Sequence, residues 1–151
     1  MMEINGYVIE PAAYLGGADL RNLTFHSISF EGCFLNRCDF RNAIFVNCNF
    51  RSCKMTSSNL TYTSFVDCDF TSAQLRGSLL FGADLSGSSF KGVDFSLATM
   101  ASIDLRGVML DEVNFVQTDL RGSDMTGASV KGVVWSKAKL DGAISPDGVP
   151  Y

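Results

Sequence analysis

Every fifth residue from Leu15 to Leu140 is a large apolar side chain: Leu15, Leu20, Phe25, Phe30, Leu35, Phe40 and onward, without a slip of register, through Met125, Val130, Trp135 and Leu140. Apolar residues make up 46% of the composition. Chance would fill those positions on the order of once in a billion trials, so the period is a structural instruction. A helix repeats about every 3.6 residues and a strand about every 2, so neither element can put this set on one face. Something must turn the chain every five residues.

A second position in the same register is small. Two residues before each large one stand Ala18, Cys33, Cys38, Ala43, Cys48, Cys53, Ala73, Ala83, Ala98, Ala128 and Ala138, with Leu23, Ile28 and Ile103 as large exceptions. Asp, Asn, Ser, Thr, Arg and Gly fill the rest, as in Ala18-Asp19-Leu20-Arg21-Asn22 and Ala83-Asp84-Leu85-Ser86-Gly87. If each unit is one short side of a coil, the small and large positions point inward and the other three face solvent. Gly at the bend, as at Gly77, Gly82, Gly87 and Gly92, then supplies the dihedrals a corner requires.

This pattern resembles the pentapeptide-repeat family, written A(D/N)LXX, and the match runs from about Ala13 to Ala143. The resemblance implies an all-β fold: a right-handed quadrilateral parallel β-helix solenoid of six to seven coils, twenty residues each. Coils spaced about 4.8 Å apart would give a rod on the order of 30 Å long. The chain reads as a single domain, with residues 1–12 as an N-terminal cap, 13–144 as the β-helix and 145–151 as a C-terminal tail. A repeat array needs such protection at its ends. The family is abundant in bacteria, notably cyanobacteria.

Composition narrows the function classes. Net charge is −4, and no basic patch for nucleic acid stands out. Glu3 and Glu10 stand where a secretory signal would be basic and then apolar, and no apolar run approaches the roughly 20 residues of a membrane span. The expected address is the cytoplasm. The five cysteines all occupy the small inward position, where a thiol serves as a compact apolar group, and their spacing differs from the short pairs of zinc sites. They are expected to be buried and reduced. The single histidine, His26, falls at an outward position without a recognisable catalytic partner. No enzyme activity, metal or cofactor is expected.

What remains is surface. On a twenty-residue period, Tyr62, Leu79 and Phe81 neighbour one another on the outside, a candidate contact for a protein partner. Asp84, Asp104 and Asp124 form a second column, with Asp67 close by. The resemblance gives that column one meaning, because several members bind type II DNA topoisomerases by imitating duplex DNA. Asp19, Asp39, Asp104 and Asp119 are each followed two residues later by Arg, which dilutes the negative surface such a mimic needs. Trp135 replaces the usual Leu or Phe near the last coil, as an end cap or as the contact of a homodimer formed through a solenoid end. The expected function is a non-catalytic binding or scaffolding module for protein, with DNA gyrase inhibition or protection by mimicry, and a purely structural spacer, as alternatives.

Overall fold

The computed structural model describes residues 2–151. The chain opens with a hairpin, β1 (Met2–Ile4) paired antiparallel to β2 (Tyr7–Ile9). Asn5 and Gly6 form its two-residue turn, both at positive φ (52° and 78°), the type I′ geometry that an Asn-Gly pair favours. Ile9 enters the core beneath the first coil.

From there the chain winds into stacked coils in which each residue lies beside the one twenty positions on. Tyr14 pairs in parallel with Phe34, Asp19 with Asp39, and Ser29 with Asn49. On the third side the pairing lengthens into β3 (Thr24–His26), β4 (Ile44–Val46) and β5 (Ser64–Val66), a three-stranded parallel sheet in the order β3-β4-β5. Four five-residue sides make one turn, so the columns beginning at Tyr14, Asp19, Thr24 and Ser29 are the first to fourth sides. Among the described residues there is no helix.

Backbone bonding follows from the period. The large residue's N–H donates to the carbonyl nineteen positions on (Leu35 to Lys54, 2.7 Å), and the residue before a large one donates to the carbonyl twenty-one back (Lys54 to Cys33, 2.9 Å). Most corners close within one unit: Ala43 N–H donates to Phe40 O at 2.9 Å across Asn42 at φ 59°. A positive φ at the third residue of such a turn defines type II. This explains the Gly, Asn and Ser two positions after each large residue. After β3, β4 and β5 the strand runs on, and Ser27, Asn47 and Asp67 alone make the bend.

The large residues fill the interior. Phe25, Phe45 and Phe65 stack along the third side at 4.8 and 5.1 Å, and Phe30, Phe50 and Phe70 along the fourth at 4.8 Å each. Rings on adjacent sides meet edge to face, as Phe25 and Phe30 do at 5.4 Å, an arrangement favoured by the aromatic quadrupole.

The small inward position does more than save space. Thr63 Oγ1 donates to Phe40 O at 2.7 Å, Ser78 Oγ to Met55 O at 2.8 Å, Ser88 Oγ to Phe65 O at 2.8 Å and Thr118 Oγ1 to Phe95 O at 2.7 Å. The acceptor is always the large residue's carbonyl twenty-three positions earlier, which also takes a turn N–H at Phe40, Met55 and Phe95. A buried hydroxyl thus staples one coil to the corner below it. The five cysteines are all free and buried; Cys38, Cys48, Cys53 and Cys68 make the same bond more weakly, as Cys53 Sγ does to Phe30 O, and Cys33 Sγ donates to Glu10 O in the cap. Reading them only as apolar filler missed this. Ser123 breaks the rule, its buried hydroxyl having no partner.

Candidate partner surface

Tyr62, Leu79 and Phe81 lie where the second side turns into the third. Leu79 pairs with Asn59 and Thr99 along the second side, and Phe81 follows it across the inward Leu80. Tyr62 occupies the bend one coil below, at φ 57°, a conformation that costs a bulky residue on the order of 1 kcal/mol. Two contacts hold it there. Its N–H donates to Phe81 O at 2.9 Å, and its ring meets the Phe81 ring edge to face at 5.6 Å. Gly82 makes room for that ring, since a Cβ there would approach it to 2.5 Å. The three side chains remain 58%, 45% and 53% exposed, too much apolar surface for the core to account for.

Charge frames the patch. Along the same edge, Asp19 and Arg21, Asp39 and Arg41, and Asp119 and Arg121 form ion pairs of 2.7, 2.6 and 2.6 Å. The Arg Nε in each donates to the other side of its carboxylate. Between them the corresponding residues are Asn59 and Thr61, Leu79 and Phe81, and Thr99 and Ala101, all uncharged. The result is an uncharged window three coils high, apolar around Tyr62, Leu79 and Phe81, with charged coils above and below.

The acidic column is differently built than the twenty-residue period predicts. Asp104 and Asp124 stand side by side in the ladder, while Asp84 and Asp104 do not pair. Asp104 is bound by Arg106 at 2.7 Å, and Asp124 accepts from Thr126 Oγ1 at 2.6 Å. Hydrogen bonds from Arg21 hold Asp19 down to about 2, and those from Arg121 hold Asp119 at about 2. Asp39 and Asp104 are lowered in the same way by Arg41 and Arg106. Asp19, Asp39, Asp104 and Asp119 are therefore ionised, and each is neutralised by its own arginine.

Trp135 stacks on Phe115 at 5.2 Å and is half-buried, together with Val130, Val133, Ala138 and Leu140. His26 is exposed in β3. Burial pushes the Cys38 thiol up to about 11 and raises Cys53 further, which keeps both protonated and unreactive. Among the described residues no three His, Cys, Asp or Glu side chains group as a metal site would require, and no helix is long and apolar enough to cross a membrane.

Comparison with known proteins agrees with this architecture. Residues 23–98 match the family model described as a pentapeptide repeat region, and residues 88–127 match that for pentapeptide repeats in eight copies. The chain belongs to the pentapeptide-repeat family. Its coil is therefore the family's right-handed four-sided β-helix. Among solved structures, HetL, a pentapeptide-repeat protein involved in heterocyst differentiation regulation from the cyanobacterium Nostoc sp. strain PCC 7120, is similar at a TM-score of 0.61 and 21% identity, over 93% of this chain and 75% of that one. QnrB1, a plasmid-mediated fluoroquinolone resistance protein, is similar at 0.67 and 19%, over 89% and 72%. Rfr23 from the cyanobacterium Cyanothece 51142 is similar at 0.54 and 17%, over 84% and 83%. At these identities the likeness is one of fold. No curated protein matches the chain in sequence.

Proposed function

We propose that this pentapeptide-repeat protein is a non-catalytic protein-binding module whose contact surface is the window of Tyr62, Leu79 and Phe81. The observation that carries the reading is the pairing of exposed aromatic rings with a charged frame, the arrangement of a contact patch with an apolar centre and polar rim. Tyr62 and Phe81 are preordered against each other and Gly82, so docking onto them immobilises little that is mobile. The test is recovery of binding proteins from native lysate, identified by mass spectrometry, with wild type and Phe81→Asp. A protein retained by the wild type and lost by a folded Phe81→Asp chain supports the reading. Equal recovery by both removes it.

The family's other role, imitation of duplex DNA before a type II topoisomerase such as DNA gyrase, calls for a continuous negative flank. Four aspartates here are held by Arg21, Arg41, Arg106 and Arg121, which argues against it. A supercoiling assay unaffected by added protein is the expected result.

A further inference from the structure

The hydrogen-bond ladder that joins every coil to the next is open at one place. On the third side, the coil carrying residues 82–87 does not bond to the coil carrying 101–106. By the rule the other coils obey, Gly82, Leu85 and Gly87 should donate to Ala101, Asp104 and Arg106, and Asp104 should donate to Ala83. None of these four bonds forms, while the equivalent ones form one coil below (Phe65 to Asp84, 2.7 Å) and one coil above (Leu105 to Asp124, 2.8 Å), and on the fourth side Ser89 still pairs in parallel with Met109. On the first and second sides the same pair of coils is closed as well, through Leu75 to Asp94 at 2.7 Å and Leu80 to Thr99 at 2.9 Å. The opening is a cavity of about 570 Å³ lined by Ala83–Ser89, Asp104 and Arg106–Met109.

Side-chain volume accounts for the position. Ile103 and Val108 fill the small inward position on two adjacent sides, directly over Ala83 and Ser88, and β-branched bulk in a site built for Ala or Ser overpacks it. A lone Val in that position, as at Val93 over Ala73, leaves the ladder closed (Asp94 to Ala73, 3.0 Å). The consequence is a row of unpaired backbone donors and acceptors on two facing lips, and unpaired main-chain groups cost free energy unless water or a ligand satisfies them.

We infer that this seam receives a short extended segment of a partner protein, carrying a basic residue, whose main chain takes hydrogen bonds the two coils do not make with each other. Alternating N–H and C=O groups on an open strand edge recognise peptide backbone, as in β-strand addition. The basic residue follows from Asp84 on the lip and Asp67 beneath Gly87, neither of which has a cationic partner among the described residues. The seam begins at Gly82, next to Phe81, so an apolar side chain of the same segment reaches the aromatic window, and Met109, 50% exposed, stands at the other end.

The inference rests on the binding-module reading, and its test separates the two. Random linear heptapeptides displayed on phage are selected on the intact protein, and enriched sequences are made synthetically. Lys- or Arg-containing peptides are expected to bind, to lose at least tenfold in affinity when alternate amides are N-methylated, and to slow hydrogen exchange at Leu85, Gly87 and Asp104. In the Ile103→Ala/Val108→Ser double variant, those three amides are expected to exchange slowly without peptide and binding to fall by a similar factor. Absence of enriched peptides, indifference to N-methylation, or slow exchange of these amides in the free wild type overturns the seam as a site. None of those outcomes touches the Phe81→Asp result, which alone decides the window.

Discussion

Thr118 and Ser123 sit five residues apart on one coil, both in the small inward position and both fully buried, yet their hydroxyls have opposite fates. Thr118 Oγ1 donates to Phe95 O at 2.7 Å, and Ser123 Oγ has no partner. Thr118→Val keeps the shape and removes a satisfied donor. Phe95 O retains the Ala98 N–H at 2.9 Å, so no acceptor is orphaned and the loss is that of one hydrogen bond, about 1 kcal/mol. Ser123→Ala removes a polar group whose burial without a partner costs about 1 to 3 kcal/mol, offset in part by lost packing, for a net gain of about 1 kcal/mol. In a chain of this size each kcal/mol moves Tm by about 2 to 4 °C. Thr118→Val should therefore melt lower and Ser123→Ala higher, about 4 to 8 °C apart, in thermal denaturation followed by circular dichroism. Shifts of the same sign in the two variants would refute the stapling rule.

The ion pairs set an acid limit. Asp19, Asp39, Asp104 and Asp119 have folded values below the ordinary carboxylate, so their stabilisation is present above the unfolded value of about 3.9 and lost as pH falls through the folded one. Tm should be flat from about pH 7 to 5 and fall between about pH 4 and 2, and Arg121→Met should flatten part of that fall; an unchanged slope counts against the pairs. Trp135 is proposed as the contact of a homodimer through the solenoid end: sedimentation velocity should show a dimer for wild type and a monomer for Trp135→Ala, and a monomeric wild type ends that proposal.

The architecture was legible because the period carries it. Leu20, Phe45 and Leu120 point inward because a chain that turns every five residues can hide that position in each unit, and the Gly positions marked the corners before any coordinate did; the four-sided winding itself came from the family resemblance. The hairpin was equally written in Asn5-Gly6, a signal that went unread. The hydroxyl staples were not legible from hydropathy, because Thr63 and Ser78 look like polar breaks in an apolar column until the carbonyl twenty-three residues earlier is seen beneath them. The seam escaped for a related reason: Ile103 was noticed as an oversized residue, but its effect depends on Val108 beside it and on Ala83 and Ser88 below, a relation between coils. The window was located by stacking alone, yet what gives it a border is the ion-pair geometry of Asp39 with Arg41 and Asp119 with Arg121, which spacing suggested and only side-chain positions establish.

The four-sided winding ties recognition to arithmetic. Removing one five-residue unit between Phe81 and Asp119 would leave an intact solenoid, but everything after the cut would swing by a quarter turn, carrying Arg121 off the edge it shares with Tyr62. Only gains or losses of a whole lap keep both borders of the aromatic patch on one flank, so length changes in this molecule re-aim its surfaces long before they endanger its fold.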